Sequence, residues 1–113
     1  MGFKRSSRVA DLIKDEISDI LLKQVRDPRT RYVTVTDVKM TDDLRLSTVF
    51  FVSMGDAVST GEAGEGLERA SGFLRRELGK RLRLRYVPEL RFIFDKSFEY
   101  GDRIERLISD LRK

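Results

Sequence analysis

Residues 70–85, ASGFLRRELGKRLRLR, contain the pattern that decides the fold of this chain. Leucines recur there every four residues, at Leu74, Leu78 and Leu82. This spacing places the three side chains on one face of an α-helix. Gly72 stands just before the leucines and predicts a boundary between this helix and another short helix that precedes it.

The preceding helix is expected to begin inside residues 55–66, which contain four glycines and otherwise resemble a loose connection. Ser59 and Glu62 are three positions apart, the spacing of an N-terminal capping box. We therefore predict a helix that begins near Ser59 and continues through Ala70, so that two helices meet at Gly72.

Two segments rich in β-branched residues lie upstream, at residues 32–40 and 44–54. They are joined by Thr41-Asp42-Asp43, residues that favour a tight turn, so the pair is predicted to form an antiparallel hairpin. The apolar phase of the first strand shifts by one residue along its length. This shift predicts a β-bulge near Thr36 and Asp37.

The N-terminal segment has the apolar spacing of an amphipathic helix, with Val9, Leu12, Ile13, Ile17, Ile20, Leu21 and Val25 on one stripe. Ser6 or Ser7 is expected to cap its start. The helix should end near Val25 or Arg26, because Asp27 precedes Pro28 and a residue before proline avoids the helical region. A chain reversal is expected at Asp27-Pro28-Arg29.

Downstream, Pro88 is predicted to open a strand with Leu90, Phe92 and Phe94 on one face. A terminal helix is predicted from Ile104, Leu107, Ile108 and Leu111. The predicted order is helix, strand, strand, helix, helix, strand, helix. The length of the chain and the absence of repeats favour one α+β domain over residues 1–113.

The basic residues are concentrated in one part of the chain. The whole sequence has 23 Lys and Arg against 19 Asp and Glu, a net charge of +4, whereas residues 69–91 hold eight basic and two acidic residues, a net of +6. Helical geometry puts Arg76, Lys80 and Arg83 roughly opposite the leucines. Guanidinium groups suit phosphate oxygens, so the window predicts binding to a nucleic-acid backbone, and the alternative is an ordinary solvated helix face.

The composition excludes several kinds of enzyme site. The chain has no Cys and no His, which excludes thiolate nucleophiles, His-dependent triads and the usual zinc sites. A magnesium-dependent nuclease using Asp37, Asp42 and Asp43 is a possible alternative, but turn formation explains Asp42 and Asp43 more simply. We expect no enzyme activity and no cofactor.

Other candidate RNA-binding features are weaker. Gly61-Glu62-Ala63-Gly64 matches the Gly-x-x-Gly of KH domains, but it follows a strand and carries an acidic residue, so we discard it. Base stacking by strand phenylalanines is an alternative to core packing, which is the expected role of most of Phe50, Phe51, Phe92 and Phe94, since alternation puts only half of them on any one face. Gln24 is the only amide side chain, so backbone and shape recognition is favoured over sequence readout.

Together, these segments resemble the bacterial ribosome-binding factor A family over nearly the whole chain. The resemblance rests, in order, on Arg8-Val9-Ala10, Asp27-Pro28-Arg29, Val33-Thr34-Val35-Thr36-Asp37-Val38, Asp43-Leu44, Ala70-Ser71-Gly72-Phe73-Leu74-Arg75, Leu82-Arg83-Leu84-Arg85 and Pro88-Glu89-Leu90-Arg91-Phe92, running to Asp95 and Ser97. It implies a type II KH-like fold, α-β-β-α-α-β with a three-stranded sheet and a C-terminal helix. An Ala-x-Gly kink, here Ala70-Ser71-Gly72, would join the two central helices.

The resemblance also implies a function: binding of free or immature 30S subunits through 16S ribosomal RNA, support of 5′-end maturation of that RNA, and growth in the cold. The alternative is a general single-stranded RNA-binding module. We expect a cytoplasmic monomer with no signal peptide, no membrane partner and no small-molecule substrate. The expected RNA-binding residues are Arg69, Ala70, Ser71, Gly72, Arg75, Arg76, Lys80, Arg81, Arg83 and Arg85.

Overall fold

The computed structural model describes residues 4–54 and 59–97. The elements follow one another as α1 (Arg5–Lys23), a 3₁₀ turn (Pro28–Thr30), β1 (Val33–Met40), β2 (Leu46–Ser53), α2 (Thr60–Leu82) and β3 (Glu89–Phe94). The C-terminal helix predicted from Ile104, Leu107, Ile108 and Leu111 lies outside the described residues. Apart from that helix and the number of central helices, the predicted α+β order is confirmed.

The three strands form one mixed sheet in the order β1-β2-β3. β1 and β2 form the predicted antiparallel hairpin, and the register shifts between Val35 and Asp37, which confirms the predicted bulge. β3 pairs in parallel with β2, from Leu46 opposite Glu89 to Phe51 opposite Phe94. A parallel pair needs a long crossover, and α2 supplies it.

Both helices pack on the same core as the sheet. Ile13, Ile17 and Ile20 of α1 are fully buried, as are Leu74 and Leu78 of α2. They belong to one cluster with buried side chains of the strands, including Val35, Val49, Phe51 and Leu90. Burying each such aliphatic side chain contributes about 1.5–3 kcal/mol of transfer free energy, so the leucine and isoleucine spacing accounts for the way the layers are joined.

The ends of α1 differ from the prediction. The helix begins at Arg5 with Lys4 at the N-cap position, and no side chain caps it, so the predicted cap by Ser6 or Ser7 is wrong. Ser6 lies within the first turn, where it is buried and its hydroxyl is 3.4 Å from Asp42 Oδ1 in the hairpin turn. The helix ends at Lys23, slightly earlier than predicted, and the 3₁₀ turn provides the expected chain reversal.

The central helices are also different from the prediction. α2 is one helix of 23 residues that runs through Gly72, so the predicted boundary between two helices is wrong, and the kink at Ala70-Ser71-Gly72 stays a prediction. Gly72 has an ordinary helical backbone, since none of the described glycines has a positive φ. A glycine inside a helix costs about 1 kcal/mol relative to alanine, which the buried face of α2 outweighs.

The start of α2 is as predicted. Ser59 is the N-cap, and its hydroxyl accepts a hydrogen bond from the backbone N–H of Glu62 at 3.1 Å. Gly61 and Gly64 lie inside the first turns of this helix, not in a loop between two helices. At the other end, Arg83 adopts a left-handed conformation with φ of 49° and ends the helix.

Candidate nucleic-acid interface

The side of α2 that faces away from the core carries a row of cations. Arg69, Arg76 and Lys80 are exposed on this side, and the exposed Arg83 directly follows the helix. We call these four residues the outer basic stripe. Fourteen residues separate its ends, which corresponds to about 21 Å of helix at 1.5 Å per residue.

Most of the outer basic stripe is not ion-paired with the described part of the chain. Arg69, Arg76 and Arg83 form no ion pair with any described residue, and Lys80 Nζ lies 3.3 Å from Glu77 Oε2. The Lys80 side chain is 78% exposed, and such surface pairs contribute about 0–1 kcal/mol. The stripe is therefore open to an anionic partner.

Arg81 was predicted to belong with these cations, but it faces α1. Its Nη1 donates hydrogen bonds of 2.8 Å to both Glu16 and Asp19. Hydrogen bonds from Arg81 and then Lys23 lower the pKa of Asp19, and those to Asp19 and Glu16 raise the pKa of Arg81. Arg81 thus connects the two helices, and RNA contact by its guanidinium stays a prediction.

Arg75 also has a structural role. Its Nε donates to the carbonyl of Pro88 at 3.1 Å, and its Nη2 donates to the carbonyl of Val87 at 3.2 Å. These bonds hold the segment that leads into β3 against the side of α2. The guanidinium therefore satisfies backbone carbonyls of its own chain, and its contact with RNA is not tested.

Arg85 lies beyond the end of the stripe, next to an exposed aromatic ring. Its Cζ atom is 5.5 Å from the centroid of the Tyr86 ring, and that side chain is 71% exposed. The pair presents a positive charge and a flat apolar surface to solvent, the two groups that single-stranded nucleic acid can use.

The predicted kink residues lie between Arg69 and Arg76. Ala70 and Ser71 are half-buried, and Gly72 is exposed. A Cβ atom added at Gly72 would meet no atom within 4 Å, so neither packing nor backbone conformation requires glycine here. Its effect is to leave the outer surface of α2 without a side chain at this point.

A groove connects the stripe to the end of α1. It has a volume of about 270 Å³ and is lined by Arg26 from the α1 side and by Arg69, Ala70 and Phe73 from α2. Arg26 is exposed and forms no ion pair with any described residue. No sequence pattern marked Arg26 as an RNA-binding residue, because the loop that brings it beside Arg69 has no regular spacing.

The alternative sites take on structural roles. Asp43 Oδ1 accepts hydrogen bonds from Thr41 Oγ1 at 2.6 Å and from the Arg45 N–H at 3.1 Å, which confirms its role in the turn. These bonds lower the pKa of Asp43. Across residues 4–54 and 59–97, no group of three potential ligands is placed to hold a metal ion, and no helix could span a membrane.

The phenylalanines divide between the two faces of the sheet. Phe51 is buried, and Phe92 and Phe94 pack against the core, as predicted. Phe50 lies on the opposite face and is half-buried, with Lys39 Nζ 5.6 Å from its ring centroid.

Comparison with known proteins identifies the family. Residues 5–108 match the family described as Ribosome-binding factor A. The chain belongs to the ribosome-binding factor A family. A family member from Syntrophus aciditrophicus is 57% identical over 111 residues, which are 98% of this chain and 90% of that protein. One from Syntrophobacter fumaroxidans is 52% identical over 115 residues, which are 100% of this chain and 98% of that protein.

Solved structures of the ribosome-binding factor A family share the fold. The Thermotoga maritima family member, solved by NMR, has a TM-score of 0.63 and 36% identity, covering 84% of this chain and 93% of that one. The crystal structure of the family member from Thermus thermophilus has a TM-score of 0.71 at 24% identity, covering 79% of this chain and 93% of that one. A homology model of the Thermus thermophilus factor, fitted into a cryo-EM map of a 30S complex of that factor, has a TM-score of 0.67 at 24% identity, covering 80% of this chain and 96% of that one.

Proposed function

We propose that this chain binds free or immature 30S ribosomal subunits through 16S ribosomal RNA and supports maturation of the 5′ end of that RNA. It acts in the cytoplasm as a monomeric assembly factor, without catalysis and without a cofactor. The proposal includes a KH-like fold in which α2 occupies the place of the two central helices, and a contribution to growth in the cold.

The observation that carries the proposal is the outer basic stripe on a chain of this family. Three of its four cations have no ionic partner among the described residues, although acidic side chains are available on α1 and pair with Arg81 instead. A row of exposed guanidinium and ammonium groups about 21 Å long is suited to phosphates of folded RNA. Membership in ribosome-binding factor A and the 30S complex of the Thermus thermophilus relative support the choice of the small subunit.

The mechanism we propose is a change in the populations of rRNA conformers. A factor that binds one arrangement of rRNA helices more tightly than another shifts the equilibrium toward that arrangement. The size of the shift is limited by the difference in affinity between the two arrangements. The arrangement favoured here is the one in which the 5′ end of 16S ribosomal RNA is accessible to processing.

Co-sedimentation with immature 30S subunits at several salt concentrations tests the binding surface. We expect Arg76→Ala and Lys80→Ala to weaken binding, and each to reduce the slope of log K against log salt by about 0.7–0.9 for the phosphate contact that it removes. Matched controls are Arg91→Ala and Lys39→Ala, exposed residues on the face of the sheet opposite the helices, where both lie beside Thr48. Unchanged affinity and slope in the Arg76→Ala, Lys80→Ala double variant would show that the stripe is not the interface.

Competition separates ribosomal binding from general RNA binding. Short single-stranded oligonucleotides should displace the chain from 30S subunits only at concentrations far above those of the subunits. Equal competition would favour a general RNA-binding module. In cells depleted of the chain, unprocessed 5′ ends of 16S ribosomal RNA should accumulate, and normal processing in those cells would contradict the role in maturation.

A further inference from the structure

A second groove lies at the end of α1, next to the 3₁₀ turn. It has a volume of about 480 Å³ and its lining includes Leu22, Arg26, Arg31 and Tyr32. Leu22 is 82% exposed and Tyr32 is 42% exposed, although both are large side chains that would lose water contact favourably in a complex. We call this groove, which Leu21, Val25, Asp27 and Pro28 also line, the Tyr32 groove.

The walls of the Tyr32 groove are held in place by the backbone. Asp27 Oδ1 accepts a hydrogen bond of 2.9 Å from the Arg29 N–H, and the Arg31 N–H donates to the Pro28 carbonyl at 3.3 Å. The carbonyl of Tyr32 accepts a hydrogen bond of 2.9 Å from the Met54 N–H. The groove is therefore largely formed before any ligand binds, which reduces the entropic cost of binding.

The groove is positively charged because its one acidic side chain is already occupied. The Asp27 carboxylate accepts hydrogen bonds from Arg29, at 2.7 Å from Nη2 and 3.0 Å from Nε, and these interactions lower the pKa of Asp27 to about 2. Arg26 and Arg31 form no ion pair with any described residue. Two exposed guanidinium groups consequently lie beside apolar surface, and the one acidic residue of the lining, Asp27, pairs with Arg29 and not with them.

An aromatic surface lies beside these charges. The Cζ atom of Arg31 is 5.7 Å from the centroid of the Tyr32 ring. A planar nucleobase can stack on a tyrosine ring or on a guanidinium plane, whereas an acidic peptide would use the charges and not the flat surface. The combination of aromatic surface and unpaired arginines favours RNA over protein as the partner.

The Tyr32 groove is continuous with the outer basic stripe. It shares Val25, Arg26 and Asp27 with the smaller groove that is lined on its other side by Arg69 and Phe73. An RNA strand that follows the stripe could pass Arg69 and Arg26 and reach Tyr32 without leaving a positively charged surface.

We propose that the Tyr32 groove binds one unpaired RNA nucleotide, with its base against Tyr32 and Leu22 and its flanking phosphates at Arg26 and Arg31. This inference rests on the proposed binding of 16S ribosomal RNA and adds a stacking site to it. The site does not discriminate among the four bases, since a stacking surface does not read base edges.

Cross-linking from Leu22 tests which class of molecule occupies the groove. The chain has no cysteine, so Leu22→Cys gives a single attachment point for a benzophenone reagent, and Leu12→Cys, also on an exposed part of α1, is the matched control. With immature 30S subunits, irradiation should give an adduct of the Leu22→Cys chain with 16S ribosomal RNA and much less adduct of the Leu12→Cys chain. An adduct of the Leu22→Cys chain with a ribosomal protein, or no adduct in a complex that still forms, would overturn the proposal.

Binding by substituted chains tests the stacking and the charge separately. Tyr32→Leu should weaken 30S binding by about 5-fold to 150-fold, the range reported for removal of a base-stacking side chain, whereas Tyr32→Phe should bind like the unsubstituted chain. Arg31→Ala should lower the salt slope by about 0.7–0.9. Arg45→Ala, at the other end of the hairpin, should leave the slope unchanged.

The outcomes distinguish the two proposals. If the unsubstituted chain does not sediment with 30S subunits, the proposed function fails and the groove proposal fails with it. If the unsubstituted chain binds and Arg76→Ala weakens binding, but Tyr32→Leu binds like Tyr32→Phe, then only the groove proposal is overturned. Circular dichroism of Tyr32→Leu verifies that the substituted chain is folded.

Discussion

The two sides of α2 carry the same kind of residue in different surroundings. On the side facing α1 and the segment before β3, Arg81 contacts two carboxylates and Arg75 contacts two carbonyls. On the outer side, Arg69 and Arg76 have no such partners among the described residues. A cluster of basic residues in a sequence therefore contains both residues that contact their own protein and residues that stay open to solvent, and only the neighbouring elements distinguish them.

The largest effect on stability is expected from a substitution on the side of α2 that faces the core. Leu74 is fully buried among the core residues, so Leu74→Ala should lower the free energy of unfolding by about 2–5 kcal/mol. Urea denaturation measures the change. Arg76→Ala, two residues further on the outer side, is the control and should change it by no more than about 0.5 kcal/mol. Equal losses in the two variants would contradict the assignment of the two sides.

Arg81 and Arg76 provide the direct comparison of two arginines. Arg81→Gln leaves Glu16 and Asp19 without their shared partner, so it should lower the denaturation midpoint, but less than Leu74→Ala does because the Arg81 side chain is 25% exposed. Arg76→Gln should leave the midpoint unchanged and reduce the salt slope of 30S binding. If Arg81→Gln reduced the slope as much as Arg76→Gln without a change in stability, Arg81 would belong to the RNA-binding surface.

Alanine substitutions at two glycines of α2 should change the stability of the fold in opposite directions. A Cβ atom at Gly79 would lie 2.9 Å from Val87 Cγ2, so Gly79→Ala should cost about 1–3 kcal/mol of overpacking against a gain of about 1 kcal/mol in helix propensity, a net loss of about 1 kcal/mol. Gly72→Ala meets open space and should stabilise the fold by about 0.5–1 kcal/mol. Thermal unfolding of both variants measures this difference, and a destabilised Gly72→Ala chain would contradict the open environment of Gly72.

The same Gly72→Ala chain tests whether RNA approaches the outer side of α2 closely. If RNA approaches the backbone of α2 between Arg69 and Arg76, the added methyl group should weaken 30S binding although it stabilises the protein. Binding unchanged in the stabilised chain would mean that RNA does not approach this part of the stripe closely.

The smallest expected effect is a pH dependence of the fold's stability, which arises at Asp27, beside the 3₁₀ turn that contacts α2. Hydrogen bonds from the Arg29 side chain and backbone lower the pKa of Asp27 from its usual 3.8 to about 2. The ionised carboxylate therefore stabilises the fold above about pH 4, and this contribution is lost as the pH falls toward 2. When the stability of Asp27→Asn is measured as the pH is lowered, it should fall less between about pH 4 and pH 2 than that of the unsubstituted chain. An unchanged acid transition would show that the Asp27–Arg29 pair does not contribute to stability.

Local patterns predicted much of the fold. The leucine spacing, the alternation of the strands, the phase shift in β1 and the Ser59–Glu62 pair all depend on residues close together in the sequence, and each of the corresponding elements is present. The boundary at Gly72 was wrong for the same reason. A glycine favours a break locally, but the leucines on both sides of it are buried by the sheet and α1, and that packing keeps the helix continuous.

The candidate site was harder to predict because it depends on distant contacts. Glu16 and Asp19 are separated from Arg81 by 65 and 62 residues, so the sequence window around Arg81 gave no sign of its partners. The Tyr32 groove was missed because its residues come from the end of α1 and an irregular loop, with no period that could place them together. An exposed Tyr next to an Arg after the Asp27-Pro28 turn was the one signal available.

Gly66 allows the loop that carries Arg26 and Tyr32 to lie directly against α2. A Cβ atom at this position would lie 3.0 Å from both Arg29 Cβ and Thr30 Cγ2, so the 3₁₀ turn rests directly on the backbone of α2. The loop that carries Arg26 and Tyr32 is consequently joined to the helix that carries Arg69 without an intervening side chain that could adjust. In the binding that we propose, the distance between this loop and α2 is therefore set by the protein, and the RNA adjusts its shape to match it.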